Sequence, residues 1–463
     1  MSTLGRRARR IVRPRDYSAF VSGSESAVYS YAAPSALRDG GELALATSGG
    51  VTEAGPALHP YFYSGFLAEP GPGALGMLAV SAVARARYFD ASRPAVADPV
   101  VTSNVDTLRF ESFSGCCGVH ARLDLPPGAL DGQLAANGTT NVDFNPPMRA
   151  ALAVAAASGG PILLKVGDDE VTAVTESGSV TERKVALPAR WVKGFGEVQA
   201  LAQAMRPVAE FTGPEASRFL LSLPRGARRP LWARPAGRTL ALGAAPRPGA
   251  TCLAAPERLV ELHPLLRFAT RLRVYAPPAD ETGLPAPSAW ELALGAARLT
   301  LTLSPERHRG FSGEGALLSG LAADADADAD LLAALLPWDA RLDPARLCVI
   351  TGLSPERTGA CLSRLAASGC VGYDLGEQSF FHRELPFTVA GKDHPRLRDA
   401  RLLVAGGEVT LTPAGAVAGG HRVTFASPRD SCTCPWWGRH QGTRGPCKHV
   451  LAARIAARAE VVA

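Results

Sequence analysis

The sequence predicts a multidomain α+β protein. It has a mixed α/β N-terminal region, a module of short helices followed by a hairpin, and a C-terminal ββα segment equipped to hold a metal ion. Three observations carry this expectation. The 463 residues exceed what one hydrophobic core ordinarily organises. Strand-period alternation is interleaved with helix-period stretches along the chain. Three cysteines and two histidines are gathered between positions 432 and 449.

Composition sets the frame. Hydrophobic residues make up 46% and charged residues 20%, a soluble globular balance. No apolar run reaches the ~18 residues that span a bilayer. The opening MSTLGRRARRIVRPRDY has no apolar stretch after its arginines and is not a secretory signal. The expectation is a cytoplasmic protein with no membrane partner. The nine cysteines are odd in number and unevenly placed, unlike a disulfide framework. Cys116, Cys117, Cys252, Cys348, Cys361 and Cys370 lie among apolar or small neighbours and read as buried hydrophobes. The adjacent Cys116-Cys117 pair is expected on a strand, pointing to opposite sides, which prevents joint chelation.

The formal charge of +6 is concentrated at the ends. Residues 1–15 hold six arginines and no acid, residues 421–463 are net +5, and the stretch between is net −5. Basicity in two terminal segments is a weak argument for nucleic acid.

In chain order, residues 1–24 form a basic tail. Residues 25–225 are the mixed α/β region, with strands expected at 108–113, 119–125, 171–175 and 180–187. The Ser177-Gly178 turn joins the last two. Helices are expected at 148–157 and 190–206. Residues 138–145 (GTTNVDFN) are expected as a polar loop. Its Thr139, Thr140, Asn141, Asp143 and Asn145 read as local backbone partners, with ion or phosphate binding as the alternative. Pro, Gly and Arg concentrate at 223–237 and mark a boundary. A second α+β segment follows at 226–322, with strands at 239–242 and 298–303. The acidic DADADAD run at 324–330 is a linker or the first turn of a helix, where carboxylates favour the positive dipole end.

Residues 324–390 form one module. A short apolar helix is expected at 331–336. Asp343 caps a second helix with Pro344 first, and Ser354 caps a third with Pro355 first and Gly369 past its end. Strands at 370–373 and 378–383 then flank Leu375-Gly376-Glu377. This pattern resembles a winged helix-turn-helix domain, which implies DNA binding through the third helix. The charge opposes it: residues 331–387 are net −1, or −5 with the acidic run, and the hairpin carries Asp374 and Glu377. Protein interaction or plain structural use is the favoured reading of this module.

The last region, 395–463, carries the metal motif: Cys432-x-Cys434, twelve residues, then Cys447-x-His449. Side chains two apart on an extended strand share a face, so Cys432 and Cys434 grip one ion from a strand end after a strand at 421–425. Residues two apart on a helix diverge by ~200°, so Cys447 must precede or open the helix expected at 448–459. Three thiolates and an imidazole select zinc, and four protein ligands close the shell, making the ion structural. One zinc ion per chain is expected.

These residues resemble the SWIM-type zinc finger family, whose signature is C-x-C, a spacer, then C-x-H. The resemblance covers about 421–457, and CKHVLA at 447–452 is similar to the typical family ending. The whole layout is similar to bacterial SWIM zinc finger proteins, whose genes often neighbour those of MoxR-type AAA ATPases and von Willebrand factor A domain proteins. The resemblance implies a non-enzymatic protein-interaction module or adaptor for such an ATPase system. A DNA-binding regulator using the finger, tail and winged helix is the alternative. An enzyme in the N-terminal region ranks third and would need Thr139–Asn145 and Cys116-Cys117 to line a cleft.

Overall fold

A computed structural model describes residues 36–38, 42–44, 50–52, 55–57, 63–92, 99–134, 136–141, 144, 146–166, 171–174, 189–227, 229–278, 283–321, 326–336, 338–383, 385, 394–426 and 429–462. The expected basic tail, the 177–187 half of the expected hairpin, and Asp143 and Asn145 lie outside these residues.

The fold is α+β. Its centre is a ten-stranded antiparallel sheet. From one edge the order is Arg206–Thr212, Arg271–Ala276, Ser288–Leu294, Ala297–Leu303, Val119–Leu125, Thr107–Phe113, Val100–Asn104, Ala136–Asn141, Gly50–Thr52 and Gly55–Ala57. A second, six-stranded sheet includes Tyr63–Leu67, Leu130–Leu134 and Leu163–Val166. At the middle of the large sheet Val119–Leu125 pairs with Ala297–Leu303, Ala121 opposite Leu301 and Leu123 opposite Leu299. The segments expected as 25–225 and 226–322 therefore share one sheet. The 223–237 stretch does not part them: it leads into the strand Leu231–Ala236 of a small three-stranded sheet.

One face of the central strands is apolar. Leu108, Phe110, Val119, Ala121, Leu123 and Leu125 pack under the helix Pro70–Arg85. Gly76 allows that approach, because a Cβ there would lie 2.6 Å from a Leu123 methyl. Packing overrides the poor helix propensity of PGPGALGML.

The opposite face is charged and also buried. Arg109, Glu111, His120, Arg122 and Asp124 are each less than 5% exposed. The hairpin Val371–Asp374 and Ser379–His382 covers them. Asp374 sits 2.9 Å from Arg298, 3.2 Å from Arg122 and 3.6 Å from Arg109. Asp124 pairs with Arg122 at 3.0 Å and Arg109 at 3.2 Å, and Arg383 meets Glu111 at 2.6 Å. The Arg109 guanidinium lies 4.0 Å over the Phe381 ring. Burial pushes the Asp374 carboxyl up, but the three arginines outweigh it and hold it well below the carboxylate range.

The segment that ends in this hairpin contains the helices Asp326–Ala334, Pro344–Thr351 and Pro355–Ser368. Asp343 accepts from the Ala345 amide, Ser354 accepts from the Arg357 amide, and Gly352 and Gly369 end their helices in the left-handed region. The first helix begins within the acidic run, at Asp326 rather than Leu331, as the dipole argument allows. Its core is continuous with the body: Leu332, Leu347, Leu362 and Val371 cluster with Met205, Tyr275 and Ala289.

Two local expectations are corrected. Thr139 and Thr140 are not in a loop; they sit buried in the strand Ala136–Asn141, paired with Val100–Asn104. Cys116 and Cys117 are not on a strand but in the tight connection between Thr107–Phe113 and Val119–Leu125. There Cys117 takes a φ of 54° and Ser114 Oγ accepts from the Gly118 and Val119 amides. Of the six cysteines expected to be buried, Cys348 and Cys370 are partly exposed. Among the described residues no helix is long and apolar enough to cross a membrane.

Candidate metal centre

The strand His421–Thr424 pairs with Ser431–Cys432, Val423 opposite Cys432. This delivers Cys432 at a strand end. Two residues on, Cys434 caps the short helix Pro435–His440, its sulfur accepting from the Trp437 amide at 3.4 Å. Pro435 suits the first helical position because its missing N–H has no partner to lose. Cys447 immediately precedes the helix Lys448–Val462 and accepts from the Val450 amide at 3.5 Å, leaving His449 in the first turn. Two amide donors thus point at sulfurs, an arrangement that favours thiolates.

The ligand atoms of Cys432, Cys434, Cys447 and His449 all lie within 4.8 Å of one another, and all four residues are buried. Cys432 Sγ is 3.9 Å from His449 Nδ1. Zinc–sulfur bonds of ~2.3 Å place tetrahedral neighbours ~3.8 Å apart, so the spacing suits one ion. The thiols are mutually unfavourable without a cation. The hydrogen bond with Cys432, aided by burial, pushes Cys447 up to about 12; burial raises Cys434, while the bond with Cys447 lowers Cys432. A dication resolves this conflict. The donor set fits a single structural zinc ion, with no ligand position left for water. The His421 ring lies 4.5 Å from the His449 ring, tilted at 47°, and His440 lies 4.3 Å from the Trp436 ring; neither belongs to the cluster.

The finger is held to the rest of the chain by residues that sequence reasoning missed. Leu397, Ala400 and Leu403, from the helix Pro395–Ala405, join Leu318, Val423 and Leu451 in the core around the ligands. Glu314 is the polar hub, 2.9 Å from Arg309, 3.5 Å from Arg396 and 3.6 Å from Arg444. Arg396 also donates to the carbonyls of Arg444 and Pro446, and its guanidinium lies 4.7 Å from the Trp436 ring centre. Gly445, at φ 74°, rests on the Glu314 backbone, where a Cβ would overlap the carbonyl oxygen. The cue to the helix is His394 capping ahead of Pro395. Nothing local marks Glu314. The finger's arginines are partly engaged: Arg454 makes a two-point pair with Asp430 at 2.7 and 2.5 Å.

The SWIM zinc finger family model matches residues 421–457. No curated protein sequence matches the chain. Solved structures to which the chain is similar include the following three. The Proliferating Cellular Nuclear Antigen of Entamoeba histolytica shares 11% identity at a TM-score of 0.33, over 53% of this chain and 98% of that one. The PCNA2-PCNA3 complex of Sulfolobus tokodaii shares 9% at 0.33, over 53% and 99%. A. fulgidus PCNA, bound to the C-terminal region of FEN-1, shares 10% at 0.31, over 53% and 98%. Likenesses at this level leave the N-terminal region unassigned.

Proposed function

We propose that this chain, which carries a SWIM zinc finger at its C-terminal end, is a zinc-stapled interaction protein that docks a protein partner and catalyses no reaction of its own. One observation carries the preference for protein over DNA. The two elements that a winged helix would lay on a duplex are both packed against the body, and the exposed first turn of the third helix offers Glu356 beside an Arg357 already paired with Asp328 at 2.7 Å. The helix Pro355–Ser368 packs on Ala189–Ala202: Ser363 donates to Gln203 Oε1 at 2.9 Å, and Gly196 makes room for the Ala367 carbonyl. The hairpin is fixed to the sheet through Asp374. The module's exposed arginines Arg341, Arg346 and Arg357 are paired with Glu377, Asp339 and Asp328, which opposes duplex binding.

Of the residues named by the third, enzymatic reading, the described Thr139, Thr140, Cys116 and Cys117 are all buried. On the strength of the family resemblance, MoxR-type ATPases and von Willebrand factor A domain proteins are the first partners to look for.

The test uses the intact zinc-loaded chain for affinity capture from its native cells, alongside titration with mixed-sequence duplex at low salt. Stoichiometric recovery of a defined protein, with duplex binding weaker than ~1 μM, is expected. Tight duplex binding with a steep salt dependence and no protein partner would replace this reading with the DNA-binding regulator.

A further inference from the structure

A cleft of about 880 Å³ opens between the finger and the body. That volume lies within the ~300–1,000 Å³ typical of ligand sites. The finger contributes Trp437, Thr443 and Gly445 to it. The body contributes Pro246, Pro248, Pro277, Pro278, Pro285 and Pro287. Proline has no N–H and a fixed φ, so this wall is rigid and presents ring carbons and carbonyls but few donors. Donors come instead from the Trp437 indole and from Arg247, Arg309 and Arg429.

The carboxylates in the lining are already engaged. Glu197 accepts from the amides of Gly315, Ala316 and Leu317, Glu306 pairs with Arg309 at 3.5 Å, and Asp430 holds Arg454. Arg429 donates to the Gln441 carbonyl. Arg247 is exposed and has no carboxylate partner among the described residues. Among the described lining residues, the cation left to a ligand is Arg247, beside a rigid apolar wall.

We infer that this cleft receives a short extended segment of a partner protein, apolar side chains on the proline wall and a carboxylate at Arg247. The inference rests on the interaction reading above and gives it a place and a chemistry. A single nucleic-acid strand is the weaker fit. It needs cations along its whole length, and of the lining arginines Arg309 is already held by Glu306 and Glu314. Rigid proline walls lower the ordering cost of a bound peptide. Because Trp437 follows the ligand Cys434 by three residues, the zinc ion sets one side of the site.

The test pans a random peptide library against the zinc-loaded full chain, then titrates the selected synthetic peptides by calorimetry. It uses wild type, Arg247→Glu and Trp437→Ala, with zinc content measured in each. Expected are peptides combining Asp or Glu with apolar residues, bound at least tenfold more weakly by both variants. If Trp437→Ala loses zinc, Arg247→Glu decides alone. No enriched peptide, enrichment of basic peptides, or binding unchanged by Arg247→Glu would overturn the inference, as would tighter binding of a 20-nucleotide oligothymidylate. A cellular partner caught equally by wild type and Arg247→Glu would remove the cleft and leave the interaction reading standing. Failure to catch any cellular partner would remove the interaction reading itself.

Discussion

The Asp374 carboxylate of the hairpin lies 2.9 Å from the Arg298 guanidinium of the central sheet, and both belong to one buried charged layer. Asp374 answers three arginines, so removing its charge leaves three cations to share Asp124 and Glu377. Asp374→Asn keeps the shape and deletes the charge, and should cost about 3–5 kcal/mol. Glu377, partly exposed and paired with Arg298 at 3.2 Å, is the control: Glu377→Gln should cost about 0–1 kcal/mol. Denaturant unfolding of both variants measures the contrast, and equal losses would remove Asp374 from its central place.

Acid should loosen the same layer. The Asp374 and Glu111 carboxyls are held below their ordinary values: burial opposes this, but arginines and, for Glu111, His120 outweigh it. The unfolded chain then takes up these protons first as pH falls. The stability they contribute is complete above the unfolded values, ~4, and is lost as pH drops further toward the folded ones. Glu197 and Glu291, raised chiefly by burial, act in the opposite sense. Unfolding midpoints at pH 7, 5 and 3 should show a net loss below pH 5. The loss should be smaller in Asp374→Asn; an identical acid profile in the two proteins would refute the assignment.

Two glycines of the finger should respond in opposite ways. Gly445→Ala forces a Cβ into the Glu314 backbone at a positive φ, so the finger should lift from the body. Gly438, inside the helix Pro435–His440, has nothing within 4 Å of where its Cβ would stand, and Gly438→Ala should be neutral or stabilising by up to about 1 kcal/mol. Hydrogen exchange at residues 443–446 should quicken only in Gly445→Ala. Unchanged exchange in both would mean that the Glu314 contact does not hold the finger.

What is legible in the sequence is local. The ligand spacing fixes a strand end and a helix start because both follow from backbone periodicity over a few residues. The capped helices at Asp343 and Ser354 are readable for the same reason. The helix Pro70–Arg85 is not, because its glycines serve close packing on Leu67 and Leu123 rather than helix propensity. The alternation in TLRFESF and VHARLDL correctly indicates strands, yet its polar face implies solvent. That face is buried because Asp374 and Arg383, distant in sequence, supply the missing charges. Asp374 and Glu377 argue against DNA by their sign; in the fold Asp374 is turned inward onto arginines, and the partly exposed Glu377 pairs with Arg298 and Arg341. The long pairing of Val119–Leu125 with Ala297–Leu303 has no local signature, so the Pro- and Arg-rich stretch at 223–237 reads as a boundary.

The zinc-stapled finger is tested most directly by the zinc content of the purified chain and of Cys434→Ser and Cys447→Ser, by elemental analysis against protein concentration. Expected are about one zinc per wild-type chain, loss of that zinc in each variant, and a sheet that stays folded while residues 421–462 loosen. Full zinc in both variants would contradict the four-ligand site.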